Sequence, residues 1–367
     1  MKKVLLSGYY GFNNAGDEAV LFSIINSLKK IDENIQVTVL SNSPEQTAKM
    51  YAVNAVNRWK SGEIYTAVRK SDLLISGGGS LLQDVTSKNG ILYYLAVIFI
   101  ARILRKPVFV YSQGIGPIKT GRNRKLTALL LNRTQGITVR DESSKEDLLS
   151  MGVKQNISVS ADPVLGIDPH DISLEKGREL LQRASVVINE GKILGVSVRA
   201  WNTDPQNIKA IADACDKLGQ KGWQVVFIPM HFPEDITAGR EVMKDMKEKA
   251  FLLKENYSPL EALSIYKAVD MVLGMRLHSL IMAAVLEKPL TAISYDPKVN
   301  NFMKTIAAGE VLEIDSLESQ KILDLVQNTW ENRDGFIANI RAKMVELQES
   351  AVLPAKMVRE ILYLSNK

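Results

Sequence analysis

Only one cysteine, Cys215, occurs in 367 residues, so no internal disulfide can form. It lies in the helical pattern Ile211-Ala-Asp-Ala-Cys215 and reads as a small buried apolar side chain, with nothing to argue for an oxidising compartment. Histidine is almost as scarce, with His170, His231 and His278 the complete set. There is no cysteine–histidine metal spacing, no Gly-x-x-x-x-Gly-Lys-Ser/Thr phosphate loop and no Gly-x-Ser-x-Gly nucleophile elbow. These absences leave chemistry by positioning and electrostatics, with no metal and no cofactor expected.

Long hydrophobic runs are missing too. The most apolar segment, Ile91–Ile103, is interrupted by Arg102 and falls short of the roughly 20 residues that span a bilayer. It is expected to form a helix covering a sheet, with Tyr93, Tyr94 and Phe99 as the residues that would meet a membrane surface. The N-terminal run Val4–Leu6 is too short for a signal peptide and leads into a glycine-rich turn, so it reads as a buried first strand. A net charge of +5, read as spread along the chain, argues against a nucleic-acid partner and suits anionic substrates or an anionic membrane surface.

What is present is an ordinary globular composition, 46% hydrophobic and 24% charged, in a chain too long for one core. Short apolar strands alternate with helical patterns: Lys3–Ser7, Gln36–Leu40, Asp72–Ser76, Pro107–Tyr111, Gly136–Val139 and Ile157–Ser160, then a second series from Ile193. Alternation of this kind implies mostly parallel sheets covered on both faces. A helix is expected over Ser143–Ser150, with Ser144 and Asp147 at capping-box spacing. The prolines and glycine of Asp162–Pro169 read as a linker. The expected fold class is therefore α/β with two Rossmann-type domains, 1–170 and 171–335, and C-terminal helices over 336–367 packing back across the junction.

In doubly wound sheets, ligands bind beyond the carboxyl ends of the strands, which directs attention to particular loops. Gly8-Tyr-Tyr-Gly-Phe-Asn-Asn-Ala-Gly-Asp-Glu18 lacks the dinucleotide fingerprint and puts acidic residues in a first helical turn, a poor place for a phosphate. Its Asn13, Asn14 and Asp17 can instead hydrogen-bond sugar hydroxyls; a capped turn is the plainer alternative. Gly77-Gly78-Gly79-Ser80 would let a ligand approach the backbone closely, and Gln113-Gly-Ile-Gly-Pro117 follows another strand. In Gly274-Met-Arg276-Leu277-His278-Ser279, a strand ends and a helix begins, placing a cation and an imidazole where backbone N–H groups already favour an anion. Arg199 and Lys298 fall at similar strand ends. One pocket for a small donor carrying carboxylate and phosphate would need this arrangement.

Taken together, Gly8–Glu18, Gly77–Ser80, Gln113–Pro117 and Arg276–Ser279 stand in the order and spacing of the polysaccharide pyruvyl transferase family, which the chain resembles from residue 8 to about 300. The bacterial CsaB-like members, which pyruvylate a secondary cell-wall polymer precursor for S-layer anchoring, are the most similar in character. The resemblance implies a GT-B-like arrangement of two Rossmann-type domains with a cleft. It implies phosphoenolpyruvate as donor, a cyclic pyruvate ketal as product and a polyprenyl-diphosphate-linked disaccharide as acceptor. The enzyme would then be cytoplasmic, with peripheral contact at the inner face of the membrane. In relatives the Arg-Leu-His stretch lines the donor pocket, which maps onto Arg276, Leu277 and His278.

The expected roles follow. Arg199, Arg276, Leu277, Ser279 and Lys298 bind the donor, His278 is the general acid, and Asn13, Asn14, Asp17, Gly78, Gly79 and Gln113 face the acceptor. Two other readings remain open: a sugar-nucleotide glycosyltransferase on the same architecture, and a non-catalytic sugar-binding protein.

Overall fold

A computed structural model describes residues 1–85, 89–188, 190–200, 204–307 and 310–364. Two compact units emerge. The first comprises Met1–Phe12, Asp17–Gly166 and the tail from Leu347, and the second comprises Asn13–Gly16 and Ile167–Glu346. The segment Asn13–Gly16, expected with the first domain, thus belongs to the second.

The first unit holds β1 (Lys3–Ser7), β2 (Gln36–Ser41), β3 (Asn54–Asn57), β4 (Leu73–Ser76), β5 (Gly79–Leu82), β6 (Val108–Ile115), β7 (Gly136–Val139) and β8 (Ile157–Val159). Their order is β3-β2-β1-β4-β6-β7-β8, with β5 paired to β6, and every pairing is parallel. Such strands are covered on both faces and read as unbroken apolar runs. Accordingly Val4, Leu5 and Leu6 are buried in β1, and β6 is buried along its whole length. The helix Gly90–Ile103 covers this sheet through Ile91, Tyr94, Leu95, Val97, Ile98 and Ala101.

The second unit repeats the plan with β9 (Lys192–Ser197), β10 (Trp223–Phe227), β11 (Ala250–Leu252), β12 (Met271–Gly274), β13 (Leu290–Ser294) and β14 (Val311–Glu313). Their order, β11-β10-β9-β12-β13-β14, is again parallel throughout. Cys215 is fully buried in the helix Pro205–Gln220, as its setting predicted.

Several expectations need correction. β3 and β14 are short edge strands whose half-exposed residues carry no apolar run. The expected glycine loop at Gly79 is strand β5, and Gln113–Ile115, expected beyond a strand, is the end of β6. β6 runs on past Tyr111 with a register irregularity against two of its three neighbours, β5 and β7. The helix expected from Ser143 starts at Glu142 and is capped by Asp141, whose carboxylate accepts from the Ser144 N–H at 2.8 Å. Ser144 Oγ instead accepts from the Ile115 N–H at 2.9 Å, tying the helix to β6. The C-terminal helix spans Arg333–Leu364, and 365–367 of the expected tail lie outside the described residues. Among the described residues no helix is long and apolar enough to cross a membrane.

Candidate functional site

The strand order of the second unit reverses between β9 and β12, the point where doubly wound sheets open a ligand crevice. Arg199 follows β9, Arg276 follows β12 and Lys298 follows β13, so three of the expected donor residues share one sheet edge. Their charges do not stand alone. The Arg276 guanidinium forks onto Asp235, with Nε donating to Oδ2 at 3.0 Å and Nη2 to Oδ1. Lys298 Nζ lies 3.2 Å from Asp296 Oδ2, and the other oxygen of Asp296 caps the helix Pro297–Thr305. Arg199 stacks over Tyr295 at 4.6 Å from the ring centroid, and Lys298 Nζ stands 5.8 Å from the same ring.

Asp235 is the organiser that the sequence did not reveal. It is 1% exposed, in the first turn of the helix Glu234–Asp245, and also accepts from the Met230 and His231 N–H groups at 3.1 and 2.9 Å. A buried carboxylate is tolerable only when so thoroughly bonded. Its bidentate grip orients Arg276, whose side chain keeps 16% exposure.

His231, just past β10, joins the same edge. Burial lowers its pKa; Glu234, whose carboxylate lies 3.5 Å from Nδ1, opposes this, and Arg276 adds to it. His278 is therefore not alone beside a cation, as its sequence setting implied. The segment Asn13–Gly16 links the two histidines. Asn14 bridges His231 in antiparallel fashion, the Ala15 N–H donates to Met230 O at 2.7 Å, and the Phe232 N–H donates to Asn13 O at 3.1 Å.

The side chains expected to meet sugar hydroxyls help fasten this segment. Asn13 Oδ1 accepts from Asn256 Nδ2 at 2.9 Å, and Asn14 Oδ1 from the Gly16 N–H at 3.0 Å. At Gly16 a Cβ would overlap the His278 imidazole. Gly16→Ala should therefore push the ring off its position. We expect kcat/KM to fall about 100-fold while stability falls by only about 1–3 kcal/mol; unchanged kinetics in a folded variant would refute that placement.

Leu277 and Ser279, expected in the donor pocket, are turned inward. Leu277 is buried, and Ser279, fully buried, donates from Oγ to Arg276 O at 2.6 Å. They hold the turn that presents Arg276 and His278, both half-buried.

In the first unit, packing accounts for the glycine run. A Cβ on Gly77 would overlap Tyr10 Oη, one on Gly78 would lie 2.7 Å from Val20 Cγ1, and one on Gly79 would lie 2.8 Å from Asp17 Oδ1. Gln113 is fully buried in β6, with Nε2 donating to Ser76 Oγ at 2.7 Å and to Gly77 O at 3.3 Å. Next to Asp17, Glu18 accepts from the Gly11 N–H at 2.7 Å and from Tyr51 Oη, and burial raises its pKa against both bonds. Thus Gly78, Gly79 and Gln113 pack tightly within this unit. Among the described residues no group of three or more His, Cys, Asp or Glu could hold a metal ion.

Comparison with known proteins agrees with this architecture. Anabaena HepE, solved in complex with UDP-glucose, superposes over the whole of both chains with a TM-score of 0.68 at 14% identity. A UDP-GlcNAc 2-epimerase from Neisseria meningitidis, bound to UDP-GlcNAc, matches 98% of this chain and 100% of its own with a TM-score of 0.65 at 17% identity. At these identities the likeness establishes the fold class, two Rossmann-type α/β units. In sequence, the amylovoran biosynthesis protein AmsJ of Erwinia amylovora is 21% identical over 98% of this chain and 99% of its own length. The family model for polysaccharide pyruvyl transferase matches residues 14–297, from the segment beside His231 to the start of the helix that carries Lys298. The chain belongs to the polysaccharide pyruvyl transferase family, enzymes of pyruvyl transfer in polysaccharide biosynthesis.

Proposed function

We propose that the enzyme takes its pyruvyl unit from phosphoenolpyruvate and closes it as a ketal on a sugar of a lipid-linked polysaccharide precursor, releasing phosphate. The observation that carries this reading is the edge shared by Arg199, Arg276 and Lys298, with His278 in the first turn of the helix Leu277–Val285. That helix has no side-chain cap bond at Arg276, and the positive end of its dipole favours an anion. Arg276 and Arg199 take the donor's carboxylate and phosphate, and Lys298 adds a point charge.

His278 gives a proton to C3 of the donor, which leaves C2 cationic. A sugar hydroxyl attacks C2 and loses its proton, and the C2–O bond to phosphate breaks. A second hydroxyl then attacks C2 and closes the ring. One hydroxyl proton balances the one gained at C3, and the other leaves with phosphate. In thermal-shift measurements phosphoenolpyruvate is expected to stabilise the protein, and Arg276→Gln to abolish that shift. Stabilisation by a sugar nucleotide, with none by phosphoenolpyruvate, would favour a glycosyltransferase instead.

Contact with an anionic membrane is part of this proposal, and the distribution of charge supports it. The small cationic excess is concentrated rather than spread: Val85–Arg140 contains ten Lys and Arg and no Asp or Glu. Within that stretch Phe99 and Ile103 are 54% and 62% exposed on one face of the helix Gly90–Ile103, with Arg105 exposed just beyond it. Exposed apolar side chains in a stretch of basic sequence fit a lipid headgroup layer, at about 1 kcal/mol per basic residue near the surface. The protein should co-sediment with phosphatidylglycerol vesicles and release with salt. Equal sedimentation of a Phe99→Ser/Ile103→Ser variant, or equal binding to phosphatidylcholine, would contradict this.

A further inference from the structure

At the carboxyl edge of the first sheet, a buried cation is walled by aromatic rings. Arg58, just past β3, is 3% exposed, yet among the described residues no carboxylate pairs with it and its Nε has no hydrogen-bond partner. Its Nη1 donates to Gly8 O at 2.6 Å and its Nη2 to Tyr94 Oη at 3.4 Å. The guanidinium carbon lies 4.9 Å from the ring centre of Phe12, 5.2 Å from Trp59, 4.2 Å from Tyr93 and 5.5 Å from Tyr94. Burying a guanidinium without a counter-ion is unfavourable, and cation–π contacts of this number offset part of that penalty.

The rings are also locked to one another. Tyr9 and Phe12 stack with centroids 4.1 Å apart and planes at 6°, Phe12 meets Trp59 edge-on, and Trp59 leans on Tyr93 at 5.8 Å. Trp59 Nε1 donates to Asn42 Oδ1 at 2.8 Å, which fixes the indole. Even so, Trp59 remains 62% exposed. A large indole held rigid yet left open to solvent, at the edge where such sheets bind ligands, marks a prepared contact surface.

We propose that Trp59, buttressed by Arg58, Phe12 and Tyr93, is the stacking platform for a pyranose ring of the saccharide acceptor. The C–H face of a pyranose is weakly positive and broad, and it complements the negative face of an indole. The platform rests on the pyruvyl-transfer reading only in calling the saccharide an acceptor. It replaces Gly78, Gly79 and Gln113, which are packed within the unit, as the acceptor surface.

The test is saturation-transfer NMR with N,N′-diacetylchitobiose and lactose as probes, on wild type, Trp59→Ala, Trp59→Phe and Arg58→Lys. Saturation of pyranose C–H protons is expected in wild type, loss in Trp59→Ala and partial retention in Trp59→Phe. Arg58→Lys keeps the charge but loses the planar stack, and should weaken saturation. In turnover assays the acceptor KM of Trp59→Ala should rise about tenfold or more with kcat little changed. Unaltered saturation in Trp59→Ala, or none with either saccharide in wild type, would overturn the platform. Saturation that depends on Trp59, without any pyruvyl transfer, would uphold the platform and remove the acceptor role instead.

Discussion

Replacing Asp235 with alanine is expected to lower the melting temperature by about 10 °C and to cost about 3–5 kcal/mol, the usual loss when one partner of a buried ion pair is removed. The substitution strips the acceptor from Arg276 and from the Met230 and His231 N–H groups together. Its kinetic effect should be larger than its thermal one. Without the fork, Arg276 has no fixed orientation at the β12 edge, and a misplacement of about 1 Å can cost about 100-fold in rate. Asp235→Asn/Arg276→Gln separates the two effects. Neutralising both partners should recover stability, because the uncompensated charge is gone, while activity stays low. A melting temperature for Asp235→Ala within a degree or two of wild type would show that the pair does not organise this edge.

His278→Ala should reduce kcat by about 10²–10⁴-fold, the range for losing a general acid, while phosphoenolpyruvate still binds through Arg276 and Arg199. The side chain is half-buried beside Gly16, so truncation should destabilise only slightly. In deuterium oxide the wild type should place one solvent deuteron at C3 of the transferred group. Wild-type turnover by the variant, with the donor still bound, would remove His278 from the proton-transfer step. His231, lying at the same edge with its pKa lowered by burial, would then be the first residue to examine.

The sequence shows the two parallel sheets clearly because strands covered on both faces must be apolar throughout, as Val4–Leu6 and Val108–Tyr111 are. β3 and β14 carry no apolar signature because no residue of either strand is fully buried, and β3 is bracketed by Asn54 and Asn57. The cations at the strand ends were legible from their positions after β9, β12 and β13. Their partners were not, since Asp235 precedes Arg276 by 41 residues and only the sheet order brings them together. The glycine run misled for a physical reason. A glycine needed to admit Tyr10, Val20 or Asp17 is indistinguishable in sequence from one needed to admit a ligand. The same holds for Asn13 and Asn14, whose amides suit a sugar but are engaged in bonds that secure their own segment. Trp59 belongs to no motif, and only the packing of Phe12 and Tyr93 around it sets it apart from other exposed residues.

The most direct test of the central claim is phosphate release from phosphoenolpyruvate with a polyprenyl-diphosphate-linked disaccharide present or absent, with the saccharide product weighed by mass spectrometry. The account predicts one phosphate per ketal-bearing product, no release without acceptor, and loss of both in His278→Ala. No release with acceptor present, or release without a heavier saccharide, would contradict it.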